Sequence, residues 1–140
     1  MPEATLKVSL IAYTPDPETV CALAARTCYS ADDCETLRQK VQSGDQGAFL
    51  KRVTASGHLS VLEHASFTFS IEGDSRALLA QLTRHRIASF SVQSQRYVSL
   101  TDGFSYVIPP AIKALGEDAV KEYAAQMVQA HAWYVRWRER

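Results

Sequence analysis

Much is missing from this sequence, and each absence removes a class of function. Lys+Arg and Asp+Glu both number 15, so the formal net charge is zero. Proteins that hold long polyanions by bulk charge are basic overall, so nucleic acid is not expected as a partner and any anion site must be local. No window approaches the roughly 18 apolar residues of a membrane span. The opening MPEATLKVSLIAYTP has no basic n-region and too short an apolar run for a secretory signal, so no membrane partner is expected. The three cysteines, Cys21, Cys28 and Cys34, form no CxxC pair. That argues against a disulfide framework or a zinc knuckle and makes a reducing cytoplasm the expected location. Repeats, linkers and low-complexity tracts are absent. So is a glycine-rich phosphate loop, because GDQG (44–47) is too short and does not follow a strand.

What is present suits one globular domain over residues 1–140, with 46% apolar and 21% charged residues. LKVSLIAYT (6–14) has strand composition and ends at Pro15. DPETVCALAARTCYS places Asp16 as N-cap and Pro17 at the first helical position, with Val20, Leu23, Ala24 and Cys28 sharing a face. A mixed loop and short helix is expected over 30–46, and a second helix over 45–56 capped by Gly57. HASFTFSIEG (64–73) alternates Phe67, Phe69 and Ile71 with small polar residues, the pattern of a half-buried strand. A helix follows over 74–86, capped by Asp74 or Ser75, then a strand over 104–110. The remainder is helical with an interruption near Gly116. The order predicts an α/β (α+β) domain, an antiparallel sheet flanked by helices.

The charge is not spread evenly. QLTRHRIASFSVQSQRY (81–97) sets Arg84, His85 and Arg86 side by side, then serines, then Arg96. If 75–86 is helical, Gln81, Arg84 and His85 share one face. In an extended stretch Ser94 and Arg96 point the same way. Arg84 and Arg96 then grip a phosphate from two directions, with Gln81 and Ser94 adding neutral hydrogen bonds. The planar guanidinium fork matches phosphate oxygens. The plainer alternative is a solvated helix C-terminus whose cations meet the negative end of the dipole.

A second cluster, His58, Ser60, Glu63 and His64, has no recognised metal-ligand spacing, and no metal is expected. Glu63 and His64 suit the start of the strand, while His58 and Ser60, alternate residues, face a ligand together. His131 reads as structural. Cys21 and Cys28 fall on an apolar helix face and Cys34 in a polar loop, so no nucleophile with a base emerges. That points to an enzyme whose organic cofactor carries the chemistry.

RHRIASFSVQSQRY resembles the signature of the flavin-dependent thymidylate synthases: RHRxxS, a serine after four intervening residues, then xR. Arg84, His85, Arg86, Ser89, Ser94 and Arg96 meet it. GHLSVLEHASFTF is similar to the family's GHxSxxEHxxFxF through His58, Ser60, Glu63, His64, Phe67 and Phe69, and AARTCYS (24–30) to its early helix end. The resemblance implies an α/β fold assembled as a homotetramer with shared active sites. It implies reductive methylation of dUMP to dTMP, with methylenetetrahydrofolate giving the carbon and NADPH reducing a bound FAD. The flavin carries methylene and hydride, and no cysteine attacks the uracil.

By that resemblance His58 lies beside the flavin ring and, with Arg84, is catalytic. Ser60, Arg84, His85, Arg86 and Val92 contact FAD. Gln81, Leu82, Thr83, Arg84, Val92, Gln93, Ser94, Gln95 and Arg96 hold dUMP, mainly at its phosphate. Many members carry a polar pair such as Asn-Glu where this chain has Ser91-Val92, and Val92 has no side-chain acceptor; Gln93 is the neighbouring substitute. Family chains continue well past residue 140 with further substrate and flavin contacts, so the chain is expected to lack the family's C-terminal part and to show little synthase activity alone. Two other classes are a non-enzymatic nucleotide or phosphate-binding module on Gln81, Arg84, Ser94 and Arg96, and an RNA-binding piece, disfavoured by the zero net charge.

Overall fold

The computed structural model describes residues 1–139. Its elements run β1 (Lys7–Tyr13), α1 (Pro17–Thr27), α2 (Cys34–Gln42), α3 (Gln46–Ala55), a 3-10 turn (Ser60–His64), β2 (Phe67–Glu72), α4 (Arg76–Leu82), α5 (Pro110–Ala114) and α6 (Glu117–Arg138). β1 and β2 form a two-stranded antiparallel sheet, so the fold is mixed α/β as the pattern predicts. The chain divides into two compact units, one of Ser9–Ser70 and one of Met1–Val8 with Ile71–Arg140.

In the Ser9–Ser70 unit, α1 packs against α2, α3 and the 3-10 turn. Cys21, Ala22, Val41 and Leu50 are buried together, with Leu23, Phe49, Val61 and Ala65 packed on them. The Arg26 guanidinium lies 4.1 Å from the Phe49 ring centre, a cation–π contact. Side chains close two helix starts. Asp33 accepts from the Glu35 and Thr36 amides, and Asp45 accepts from the Ala48 amide. The Thr36 amide and hydroxyl hold the Asp33 carboxyl below the usual carboxylate range.

Asp16 stands at the N-cap position of α1 but does not cap with its side chain. Its backbone is left-handed (φ 46), a conformation Asp tolerates, and only its carbonyl accepts, from the Val20 amide at 3.1 Å. Cys28 is also unlike its expectation. It sits one residue past α1, exposed, with its thiol directed to the Ala24 carbonyl at 3.7 Å, because the helix ends before that face is covered.

In the other unit, the expected strand over 104–110 is only a parallel bridge between Glu3 and Tyr106. Its bonds are Ala4 N–H to Tyr106 O at 2.8 Å and Tyr106 N–H to Pro2 O at 3.2 Å. Pro109 and Pro110 donate nothing to a ladder, so pairing stops and Pro110 opens α5 instead. α5 packs on α6, and the Tyr123 hydroxyl on α6 donates to the Val107 carbonyl.

The alternation in β2 is present but the burial is not. Phe67, Phe69 and Ile71 remain 40% to 53% exposed, because two strands alone cannot cover a face. From β2 the chain reaches α4 through Gly73, whose φ of +74 is left-handed. A Cβ at Gly73 would overlap the Thr5 carbonyl oxygen, so backbone passes where a side chain would be. Ser75 then caps α4 by accepting the Leu78 amide at 3.0 Å. Gly73→Ala is expected to destabilise the protein by at least about 2 kcal/mol, combining a left-handed alanine with a backbone clash. Thermal denaturation checks this; an unchanged Tm would show that Thr5 moves away freely.

Candidate functional site

The residues around Arg84 take their places from the way α4 ends. Thr83 is the C-cap residue of α4, and its hydroxyl and amide both bond to the Leu79 carbonyl, at 2.9 Å and 3.0 Å. Arg84 N–H then reaches Gln81 O at 3.2 Å and His85 N–H reaches Leu82 O at 3.1 Å, which tightens the backbone into a turn. The expected helix over 75–86 is thus shorter. Gln81 and Leu82 are helical, whereas Thr83, Arg84 and His85 follow the last turn and do not continue one helical face.

Residues 88–94 form neither helix nor strand. The Arg76 guanidinium, from the first turn of α4, donates to the Gln93 carbonyl at 3.2 Å and fixes the far end of this loop. Next comes a compact turn in place of the expected extended stretch. Ser94 Oγ accepts the Arg96 amide at 3.3 Å, and Ser94 O accepts the amides of Tyr97 and Val98 at 3.3 Å and 3.0 Å. A serine two residues before an amide commonly closes on it in this way, so Ser94 and Arg96 do not alternate along a strand. Ser94 is half-buried, while Gln93, Gln95 and Arg96 are exposed. Val92 is 45% exposed and brings no polar side-chain group.

Between Asp74 and Asp102 the sequence holds Arg76, Arg84, Arg86, Arg96 and His85, and no carboxylate. Among the described residues the ion pairs are Lys40–Asp32, Lys113–Glu3 and Lys121–Asp118, so none of these arginines is neutralised from within. Arg84, His85 and Arg86 are all exposed. An incoming anion meets them without first breaking an internal salt bridge, and planar guanidinium groups suit bidentate contact with phosphate oxygens.

His58 and Ser60 belong to the other unit. Gly57, with φ +89, turns the chain after α3, and His58 N–H bonds Val53 O at 3.3 Å. The 3-10 turn from Ser60 is anchored on its apolar side, where Val61 joins the core, leaving His58, Ser60, Glu63 and His64 exposed. No group of three metal-ligating side chains converges among the described residues. An open hollow of about 320 Å³ in this unit is lined by residues including Cys21, Leu50, Leu62 and Ala65, and by none of the sequence-derived site residues. Sequence reasoning missed Arg76, a helix-start residue whose partner is 17 positions away.

The protein is a mixed α/β protein in which Arg84, His85 and Arg86 are exposed and without a carboxylate partner among the described residues. Residues 9–140 match the family described as thymidylate synthase complementing protein, and the chain belongs to that family. It is 54% identical over 110 residues to a protein of Geobacter sulfurreducens named flavin-dependent thymidylate synthase, a match covering 78% of this chain and 47% of that one. It is 51% identical to proteins of the same name from Nitratidesulfovibrio vulgaris and Clostridium tetani, covering 80% and 76% of this chain and 47% and 43% of theirs. The chain spans about half the length of the curated relatives it matches. No helix among the described residues is long and apolar enough to cross a membrane.

The thiols give a direct check on side-chain placement. Burial raises the Cys21 pKa, with a backbone hydrogen bond from Ala65 partly opposing it, while Cys28 and Cys34 are exposed. An aromatic disulfide reagent is expected to titrate two thiols per native chain and the third only after unfolding. Three fast-reacting thiols would contradict the core.

Proposed function

We propose that this chain carries dUMP- and flavin-binding groups of a flavin-dependent thymidylate synthase. In this reading the protein takes part in converting dUMP to dTMP, with methylenetetrahydrofolate as carbon donor and NADPH as reductant. The observation that carries it is the arginine segment without carboxylates between Asp74 and Asp102. It lies within the matched family span, in a chain similar to proteins named for this activity.

Gln81, Arg84, Ser94, Gln95 and Arg96 are assigned to dUMP, with the guanidinium groups on the phosphate and Gln81 giving a neutral hydrogen bond. Leu82 and Thr83 shape the backbone beside them, because the turn at the end of α4, with Arg84 N–H on Gln81 O and His85 N–H on Leu82 O, sets where Arg84 emerges. Arg84, His85, Arg86 and Ser60 are assigned to FAD, and His58 to the flavin ring. Their chemistry fits the group: FAD carries a pyrophosphate, and Arg84, Arg86 and His85 are exposed and without carboxylate partners among the described residues. When bound, the flavin supplies the carrier of the one-carbon unit and of hydride. The protein's own part is to neutralise phosphate charge, orient the uracil and exclude competing anions. At Val92 only apolar contact is available; the Gln93 side chain, without a hydrogen-bond partner among the described residues, is the polar neighbour for either ligand. A homotetramer with shared sites in the reducing cytoplasm completes the proposal.

Binding tests it more directly than turnover, given the length of the relatives. The purified protein is expected to retain flavin, released as FAD on denaturation. dUMP affinity should fall about tenfold or more in Arg84→Ala and in Arg96→Ala, and weaken as salt rises. dUMP binding that neither substitution changes would overturn the assignment. A colourless protein that still binds dUMP through both arginines would favour a phosphate-binding module without flavin chemistry.

A further inference from the structure

The turn Ser94–Val98 is held from both sides by residues that lie far away in sequence. On its N-terminal side Arg76 donates to the Gln93 carbonyl at 3.2 Å. On its C-terminal side both backbone groups of Leu100 are held by α6. The Leu100 N–H donates to the Tyr134 hydroxyl oxygen at 3.2 Å, and the Leu100 carbonyl lies 2.9 Å from His131 Nε2. These two α6 residues support each other. Their rings stack with centroids 6.5 Å apart, and Arg138 donates a second hydrogen bond to the Tyr134 hydroxyl at 3.3 Å. The turn between the tethers has few bonds of its own, the ones centred on Ser94, and Tyr97 at its tip is 85% exposed.

We infer that Arg76 and the His131–Tyr134 pair are positioning residues that clamp the Ser94–Val98 turn at both ends, fixing Ser94 and Arg96 for a phosphate ester. A loop of bare polar side chains would have to be ordered by its ligand, and the cost of ordering would be subtracted from affinity. A loop tethered before the ligand arrives escapes most of that cost. Arg76 serves through its contact with the Gln93 carbonyl and not through charge on the ligand, which separates it from Arg84 and Arg96. The inference rests on the assignment of dUMP to this segment and adds the residues that preorganise it.

Two measurements on the same variants decide it. Amide hydrogen exchange reads the tether without any ligand: the Tyr97 and Val98 amides, both bonded to Ser94 O, should exchange several-fold faster in Arg76→Ala and in Tyr134→Phe. Titration with dUMP reads the consequence: affinity should drop about fivefold in Arg76→Ala and recover in Arg76→Lys. Because Arg76 is exposed, its replacement should leave Tm nearly unaltered; Tyr134→Phe, losing only a hydroxyl, gives a second probe from the opposite side. If the unaltered protein binds dUMP and the variants bind it equally well, or if exchange at Tyr97 and Val98 does not change, the clamp is refuted. If the unaltered protein binds no dUMP, the substrate assignment itself fails and the inference falls with it.

Discussion

Everything about the candidate site depends on uncompensated positive charge. Four arginines and a histidine lie between Asp74 and Asp102 without a carboxylate among them, in a chain whose total charge is zero. Nothing else among the described residues neutralises them, since each ion pair there uses a lysine. Crowding like charges costs free energy unless solvent or a ligand screens them. The backbone around these exposed cations is set by a short series of contacts. α4 ends at Leu82 with the Arg84 and His85 amides bonded three residues back, the loop returns to Arg76, and the Ser94 turn follows. Even Gly73 belongs to this chain of causes, because it lets β2 hand over to α4 beside the Thr5 backbone.

The elements were largely legible in the sequence, and the reasons are local. α1, α3 and α6 carry helical periodicity with Pro, Asp, Gly or an interruption at their ends, and β1 and β2 carry strand composition. Local rules failed where longer-range contacts decide. RHR looks like a continuation of α4, yet the Arg84 and His85 amides bond only three residues back, to the Gln81 and Leu82 carbonyls, and the helix ends there. FSYVIPP has strand composition but, among the described residues, its backbone pairs only with the Glu3 region before it runs into two prolines, so a single bridge remains. Asp16 occupies a cap position in a backbone conformation from which its carboxylate makes no cap bond.

The site was legible in residue type but less so in shape. Arg84, His85, Arg86, Ser94 and Arg96 stand out as a candidate anion-binding set because the charge is local in a neutral chain. Their geometry is not encoded by spacing: Ser94 and Arg96 are joined by a turn, where alternation would have put them on an extended strand. The supporting residues were invisible for a different reason. Arg76 meets Gln93 across 17 positions, and Tyr134 meets Leu100 across 34, separations at which no pattern in one sequence speaks. His131, by contrast, was expected to be structural, and its bond to Leu100 O is a structural contact made close to the site.

The central claim is that Arg84 and Arg96 recognise a phosphate on a nucleotide. NMR of the arginine Nε–H groups during titration tests it most directly, comparing dUMP with deoxyuridine, which lacks only the phosphate. The account predicts that the Arg84 and Arg96 resonances shift with dUMP and stay in place with deoxyuridine. Equal shifts with both ligands, or no shift with dUMP, would contradict it.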